Sequence, residues 1–132
     1  MVNSQIQRGS LYLYNAGTNN GSIQGGYSRP CVILQENNSK SPTTIIAPLT
    51  SVLKKTDMYA HVVLGKRFGL RENSMVLLEQ IRIINQDDLG PYIGHIDDPL
   101  IIRQIDQGLC KTLGIHSRSC HTCSSSSEEV RV

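Results

Sequence analysis

The strongest constraint on the fold is a series of short apolar segments separated by turn-forming residues. In the first segment leucines and tyrosines alternate, which is the period of a β-strand with two different faces. The predicted strands cover residues 8–14, 31–34, 43–49, 60–64 and 74–85. The last segment is too long for one flat strand, so we expect a bend near Glu79 and Gln80 that divides it into two strands. The pattern predicts a mostly β domain of five or six short strands.

A single helix is predicted after these strands. Asp98 has the position of a helix cap, and Pro99 suits a first helical position. Apolar residues then recur at helical spacing and form one stripe, at Ile102, Ile105, Leu109 and Leu113. Gly108 is expected to weaken the helix by about 1 kcal/mol relative to alanine, and Gly114 is expected to end it.

Length and composition limit the class of protein. A chain of 132 residues is enough for one domain with a modest core. The sequence contains no apolar run near the roughly 20 residues that span a bilayer, and its first residues lack the basic and apolar stretches of a signal peptide. We therefore expect a cytoplasmic protein, not a membrane protein. The domain is predicted over residues 1–116, followed by a flexible tail rich in serine and cysteine over residues 117–132.

Charge is distributed unevenly along the chain. Residues 1–86 contain nine Lys and Arg against four Asp and Glu, whereas residues 87–132 contain four against seven. The basic part favours contact with a polyanion on one side of the molecule. An ordinary solvated surface explains the same counts equally well.

A glycine-containing loop before the second predicted strand presents one arginine. Gly25 and Gly26 allow positive φ and a close approach of the backbone to a ligand, and Pro30 favours an extended backbone at Arg29. The guanidinium at this hinge is a planar fork of donors that suits a phosphate group. The alternative is a turn that opens a strand and carries a surface arginine.

Four motifs in this order resemble the MazF/PemK-type toxin endoribonucleases. They are Arg8-Gly9 leading into Leu11-Tyr12-Leu13, Gln24-Gly25-Gly26 with Arg29-Pro30, the segment from Ser41-Pro42-Thr43 to Leu49-Thr50-Ser51, and the segment from Ser74 to Arg82. The resemblance covers roughly residues 8 to 115. One glycine loop is weak evidence, but four motifs in register are strong.

The resemblance implies a small SH3-like barrel of the MazF/CcdB type that works as a homodimer. It implies that Arg29 and Thr50 are catalytic and that single-stranded RNA and a cognate antitoxin are the partners. The residues that match the RNA groove of the family or its neighbourhood are Ser22, Gln24, Ser51, Glu79 and Gln80, and Tyr27 is added because its ring can stack on a base. The chain departs from the family at Ile23, where an acidic residue is common, and by one extra residue between Gly26 and Arg29.

The expected chemistry needs no cofactor and no metal ion, because the 2′-hydroxyl of RNA can itself act as the nucleophile. A guanidinium is a poor base near neutral pH, so Arg29 is expected mainly to stabilise charge. Two other hypotheses stay open: a non-catalytic barrel that binds a protein target such as gyrase, and an idle protein that only binds antitoxin. Cys120, His121 and Cys123 offer zinc ligands or a disulfide, but a short serine-rich tail also fits an inert or redox-labile segment.

Overall fold

The computed structural model describes residues 6–16, 27–36 and 41–116. Within these ranges, seven strands and one helix follow in chain order: β1 (Ser10–Asn15), β2 (Tyr27–Ile33), β3 (Thr43–Thr50), β4 (His61–Gly65), β5 (Ser74–Leu77), β6 (Arg82–Asn85), β7 (Leu89–His95) and α1 (Pro99–Leu113). Single 3₁₀ turns cover Leu78–Gln80 and Gln86–Asp88. This arrangement confirms a mostly β fold with a C-terminal helix. Residues 117–132, predicted to be a tail, lie outside the described residues.

Strand β3 is the centre of the sheet, because it pairs with three other strands. The strand order is β4-β5-β3-β2-β1-β7, and β6 also pairs with β3. The first half of β3 pairs with β6 as far as Ile46, and its last two residues, Leu49 and Thr50, pair with β5. Pro48, which has no N–H to donate, lies between these two ladders. Because β3 pairs with β6 in its first half and with β5 at its end, the sheet bends there and Thr50 lies away from β6.

The two faces of β1 belong to two apolar clusters. Leu11 is fully buried in the larger cluster, which β3, β5 and α1 also line. Tyr12 and Tyr14 are buried on the opposite side with Cys31 and other residues of β2 and β3. The alternation in this segment therefore does separate two faces, as predicted, and both faces are covered.

The expected bend near Glu79 and Gln80 is confirmed. The 3₁₀ turn Leu78–Gln80 separates β5 from β6, and Leu78 is fully buried there. Strand β7 was not predicted, because Gly90, Pro91 and Gly94 interrupt its pattern. No described helix is long and apolar enough to cross a membrane.

The helix begins and ends as predicted. Asp98 Oδ1 accepts a hydrogen bond from the backbone N–H of Leu100 at 2.9 Å, and Gly114 ends the helix with φ of 73°. The predicted apolar stripe is wrong at Leu113, which is 55% exposed. The buried residues of the helix are Ile101, Ile105, Gly108 and Cys110, whereas Leu113 is its last residue.

Candidate active site

One cleft collects the ends of several strands. It has a volume of about 730 Å³. Its lining residues come from β1 and β2, from β3 and the residue after it, from β5 and the segment that precedes it, and from β7: Leu13, Arg29, Pro30, Leu49, Thr50, Ser51, Gly69, Leu70, Arg71, Glu72, Ser74, Pro91, Tyr92 and Ile93. The cleft contains both polar and charged groups, and it is large enough for a nucleotide-sized ligand.

Arg29 reaches this cleft from the third position of β2. Its backbone pairs with Tyr14 on β1, and Pro30 follows it in the same strand. Nη2 of Arg29 donates a hydrogen bond to the backbone carbonyl of Leu49 at 3.4 Å. A guanidinium has five N–H donors, so this bond anchors the side chain and uses only one of them. The anchor places the positive charge beside the residue that precedes Thr50.

Thr50 is the last residue of β3, and its backbone pairs with Met75 of β5. Its hydroxyl oxygen accepts a hydrogen bond from the backbone N–H of Val52 at 3.0 Å. This contact fixes the side chain where the chain leaves the strand, and the hydroxyl proton remains to be donated to a ligand oxygen. Arg29 and Thr50 therefore present a cation and a short hydroxyl to the same cleft.

A close approach between two backbone segments forms the opposite wall. A Cβ added to Gly94 would lie 1.9 Å from the carbonyl oxygen of Phe68, and a Cβ added to Gly69 would lie 2.3 Å from the carbonyl oxygen of Ile93. Only glycine fits at either position. The contact holds the turn at residues 66–70 against β7 and brings Arg71, which follows that turn, to the cleft.

The charged groups of the lining favour an anion. They are Arg29, Arg71 and Glu72, which give a net charge of one positive unit. All three side chains belong to exposed residues, so they attract a charged ligand from solution and still exchange with water. This local balance agrees with the basic character of residues 1–86.

The structure brings together three of the residues singled out in the sequence, namely Arg29, Thr50 and Ser51. Glu79 and Gln80 do not line this cleft: they lie beyond Leu77, whereas the cleft meets β5 at Ser74, its other end. Tyr27 begins β2 and its backbone pairs with Asn15. Ser22 and Gln24 lie outside the described residues.

Glu79 has a partner that the sequence did not reveal. Its carboxylate lies 3.0 Å from Nε2 of His61 on β4, and the imidazole is nearly buried, with 8% of its side chain exposed. The other ring nitrogen, Nδ1, lies 3.0 Å from the carbonyl oxygen of Lys55 and 3.2 Å from that of Lys54. Since all three partner atoms are acceptors, the doubly protonated, charged imidazole fits this position best.

These contacts change the pKa values of both groups. The hydrogen bond with Glu79 raises the pKa of His61, and burial, which opposes it, has a smaller influence. Burial acts to raise the pKa of Glu79, but its contacts, the hydrogen bond from His61 foremost, outweigh burial and lower it. Through His61, these contacts link the backbone at Lys54 and Lys55 to the 3₁₀ turn that follows β5.

The pH dependence of this contact follows from the directions of the shifts. The stability contributed by His61 is present below the pKa of the unfolded imidazole and is lost as the pH rises through the raised folded-state pKa. The contribution of Glu79 is lost as the pH falls through its lowered pKa. We expect an NMR titration to place the pKa of His61 above its ordinary value, and Glu79→Gln to bring it back down. Glu72→Gln, which removes a cleft carboxylate instead, is the control; an unchanged His61 pKa in Glu79→Gln would contradict the assignment.

The cleft also contains residues that the sequence did not point to, above all Arg71 and Tyr92. Arg71 stands in a polar segment next to Glu72, where it looks like any solvated charge. Tyr92 lies in the unpredicted strand β7. One signal for it exists in the sequence: Tyr92 directly follows Pro91, and a proline there indicates an irregular strand on which an aromatic residue can be exposed.

No cluster that fits a metal ion exists among residues 6–16, 27–36 and 41–116: no three of their His, Cys, Asp and Glu side chains are grouped so that they could hold one. The cysteines considered as zinc ligands, Cys120 and Cys123, lie outside these ranges.

Comparisons with known proteins agree with this geometry. Residues 7–113 match the family described as PemK-like, MazF-like toxin of type II toxin–antitoxin system. Endoribonuclease EndoA of Bacillus subtilis is 35% identical over 113 residues, which cover 83% of this chain and 96% of that protein. Endoribonuclease MazF of Staphylococcus saprophyticus is 33% identical over 119 residues, which cover 88% of this chain and 98% of that protein.

A solved structure has the same fold. It is an endoribonuclease in complex with its cognate antitoxin from a mycobacterial species, with a TM-score of 0.67 and 23% identity. The match covers 83% of this chain and 95% of that one.

A bent, mostly β sheet with a C-terminal helix is the fold shared with the solved mycobacterial endoribonuclease. The family match over nearly the whole described region, together with two relatives above 30% identity, makes the assignment specific. The chain belongs to the MazF/PemK-type toxin endoribonucleases of type II toxin–antitoxin systems.

Proposed function

We propose that this toxin is a sequence-specific endoribonuclease that cleaves single-stranded RNA without a metal ion. The 2′-hydroxyl of the substrate attacks the adjacent phosphorus, and the bond to the 5′-oxygen of the next nucleotide breaks. The products are a 2′,3′-cyclic phosphate and a 5′-hydroxyl end. The observation that carries the proposal is that the Arg29 guanidinium and the Thr50 hydroxyl line one cleft.

Each of these two groups has a role that its chemistry allows. Arg29, held by the Leu49 carbonyl, directs its remaining donors at the phosphoryl oxygens and stabilises the charge that develops on them. Thr50, held by the Val52 N–H, donates to a phosphate oxygen or orients the 2′-hydroxyl. Positioning and electrostatic stabilisation are the main contributions of a protein to phosphoryl chemistry.

Contacts with the bases select the sequence that is cut. Ser51 lies beside Thr50 in the cleft. We propose that Ser22, Gln24, Tyr27, Glu79 and Gln80 contact the RNA further along the strand, where single-stranded bases are read on their edges or stacked on aromatic rings.

The antitoxin is proposed to act on the same cleft. The mycobacterial endoribonuclease of the same fold was solved with its cognate antitoxin. A flexible acidic segment of such a partner complements the net positive charge of the cleft and folds as it binds. The segment inhibits the enzyme because it binds Arg29 in place of the RNA phosphate. Cleavage that continued unchanged with an excess of the cognate antitoxin would contradict this part of the proposal.

A homodimer is proposed as the working form. Val52, Leu53, Met58 and Tyr59 expose apolar surface after β3, and Leu113 and Ile115 expose more at the end of the helix. Tyr59 itself lies beside the last turn of the helix, because the Lys111 ammonium lies 5.8 Å from the centre of its ring. Exposed apolar side chains that lie close together in the chain, as these do after β3, favour an interface. Sedimentation equilibrium that detected only monomers at micromolar concentration would contradict this.

The decisive experiment is cleavage of a long unstructured RNA in the presence of EDTA, with analysis of both new ends. We expect discrete cuts, 5′-hydroxyl ends that a polynucleotide kinase can label, and 2′,3′-cyclic phosphates at the other ends. Thr50→Val, which preserves the shape of the side chain and removes the hydroxyl, is expected to lose most of the activity. Intact RNA with the wild-type protein, or cuts that vanish when EDTA is added, would contradict the proposal.

A further inference from the structure

Tyr92 is an unusual residue for its place in the fold. It lies in the middle of β7, yet it is 59% exposed, and it lines the cleft that contains Arg29 and Thr50. Among the described residues whose burial is known, only Tyr59 is an aromatic residue of similar exposure, and Tyr59 lines a separate pocket beside α1. An exposed aromatic ring next to a cationic group fits a ligand that has a flat face as well as a charge.

The backbone around Tyr92 is irregular in a way that directs this side chain. In the β1–β7 ladder, Leu11 pairs with Gly94, Tyr12 with Tyr92, and Tyr14 with Leu89. Strand β7 therefore has one extra residue on each side of Tyr92. Such bulges bend a strand and turn a side chain away from its regular direction, and they are frequent next to functional sites.

The ring of Tyr92 also packs against a buried residue. It packs against the ring of Tyr12 edge to face, with centroids 5.4 Å apart and planes at 74°. Tyr12 is itself 4% exposed, so it holds a fixed position in the smaller apolar cluster. A ring that is fixed before the ligand arrives loses little conformational entropy on binding.

The cleft thus offers separate partners for the two parts of a nucleotide. Arg29 and Arg71 supply positive charge for the phosphate, and Tyr92 supplies a flat face for a base. Aromatic stacking is the usual way in which proteins hold the unpaired bases of single-stranded RNA. Building on the proposed function, we infer that one nucleobase of the RNA substrate stacks on Tyr92, beside the phosphate held by Arg29.

The first test measures binding of the RNA segment found to be cut, synthesised with 2′-O-methyl groups so that it cannot be cleaved. Loss of one stacked base is expected to raise its Kd about 5- to 150-fold in Tyr92→Ala. Tyr92→Phe should bind like the wild type, and Tyr92→Leu, which keeps apolar bulk without a π-face, should bind like Tyr92→Ala. Thermal melting of each variant separates these effects from a loss of folding.

An RNA with an abasic position isolates the stacking contact. When the stacked base is absent, wild type and Tyr92→Ala should bind equally well, and scanning the abasic position along the strand identifies the base. A penalty in Tyr92→Ala that is the same at every abasic position would overturn the inference. So would a Tyr92→Ala variant that binds RNA normally and has lost only its affinity for the antitoxin.

Fluorescence gives an independent readout, because the chain contains no tryptophan. Tyr92→Trp introduces a single reporter, and we expect its emission to be quenched when the RNA binds. Leu100→Trp is the control, since Leu100 is 63% exposed at the start of α1 and lies outside the cleft. Equal responses from the two variants, or no response from Tyr92→Trp, would overturn the inference.

Different results would contradict the proposed function and the inference about Tyr92. If the wild-type protein cuts no RNA, the proposed function fails and the inference fails with it. If RNA is cut as expected but none of the Tyr92 variants alters binding, only the inference fails.

Discussion

Arg29→Ala is expected to lower kcat for RNA cleavage by about 10²- to 10³-fold, the effect of removing one preorganised donor from a site of developing negative charge. The guanidinium is anchored by the Leu49 carbonyl and lines the same cleft as Thr50, so the substitution removes a positioned cation from that cleft. Single-turnover cleavage of a short RNA that carries the cut motif measures this rate. Binding of the non-cleavable RNA, measured separately, shows how much of the loss arises in the ground state.

Arg29→Lys distinguishes charge from geometry. A lysine retains the positive charge but not the planar fork, so we expect most of the activity to be lost even though RNA binding is largely kept. Arg103→Ala is the matched control, because Arg103 is an exposed arginine on α1 outside the cleft. Full activity in Arg29→Ala would remove the basis of the proposed mechanism, and full activity in Arg29→Lys would show that charge alone is sufficient.

Gly108→Ala is expected to destabilise the protein, although helix propensity alone predicts the opposite. An added Cβ would lie 2.6 Å from the carbonyl oxygen of Tyr59 and 2.5 Å from a methyl group of Leu78. Alanine gains about 1 kcal/mol in helix propensity, but forcing a methyl group against a backbone atom costs about 1–3 kcal/mol. Two contacts this short, one of them to a backbone atom, put the cost in the upper part of that range, at about 2–3 kcal/mol. We therefore expect a net loss of about 1–2 kcal/mol in the free energy of unfolding, with a fall in Tm of about 3–8 °C.

Two substitutions on the same helix serve as comparisons for Gly108→Ala. Gln104→Ala alters an exposed position and should change the free energy of unfolding by less than about 0.5 kcal/mol. At Gly114 an added Cβ meets nothing within 4 Å, so Gly114→Ala tests only the positive φ, at a cost of about 1–2 kcal/mol. A Gly108→Ala protein that is more stable than the wild type in urea denaturation would mean that α1 does not press against Tyr59.

The sequence predicted the features that depend on neighbouring residues. Asp98, Pro99 and Gly114 define the ends of the helix through their own backbone chemistry, and the fold has them where expected. The bend near Glu79 was also predictable, because an apolar run of twelve residues is too long for one flat strand. Arg29 and Thr50 became candidates through motifs in family order, and the structure places both in one cleft.

The features that the sequence did not predict depend on contacts between distant residues. Gly108 appeared only to weaken the helix, because the Tyr59 carbonyl that requires a glycine there belongs to another segment. The pairing of His61 with Glu79 joins residues that are 18 positions apart. Tyr92 was missed because the bulges that direct it are features of the β1–β7 ladder and have no local pattern.

The pairing of β1 with β7 joins Ser10 to His95, so the sheet is complete only when almost the whole domain has been synthesised. A nascent chain that ends before Leu89 already carries Arg29 and Thr50, but its β1 has an open edge and its cleft has no Pro91–Ile93 wall. We therefore expect the chain to become active only after β7 has been synthesised. We expect a chain truncated upstream of β7 to be inactive and to expose an unpaired edge of β1 that can pair with other chains.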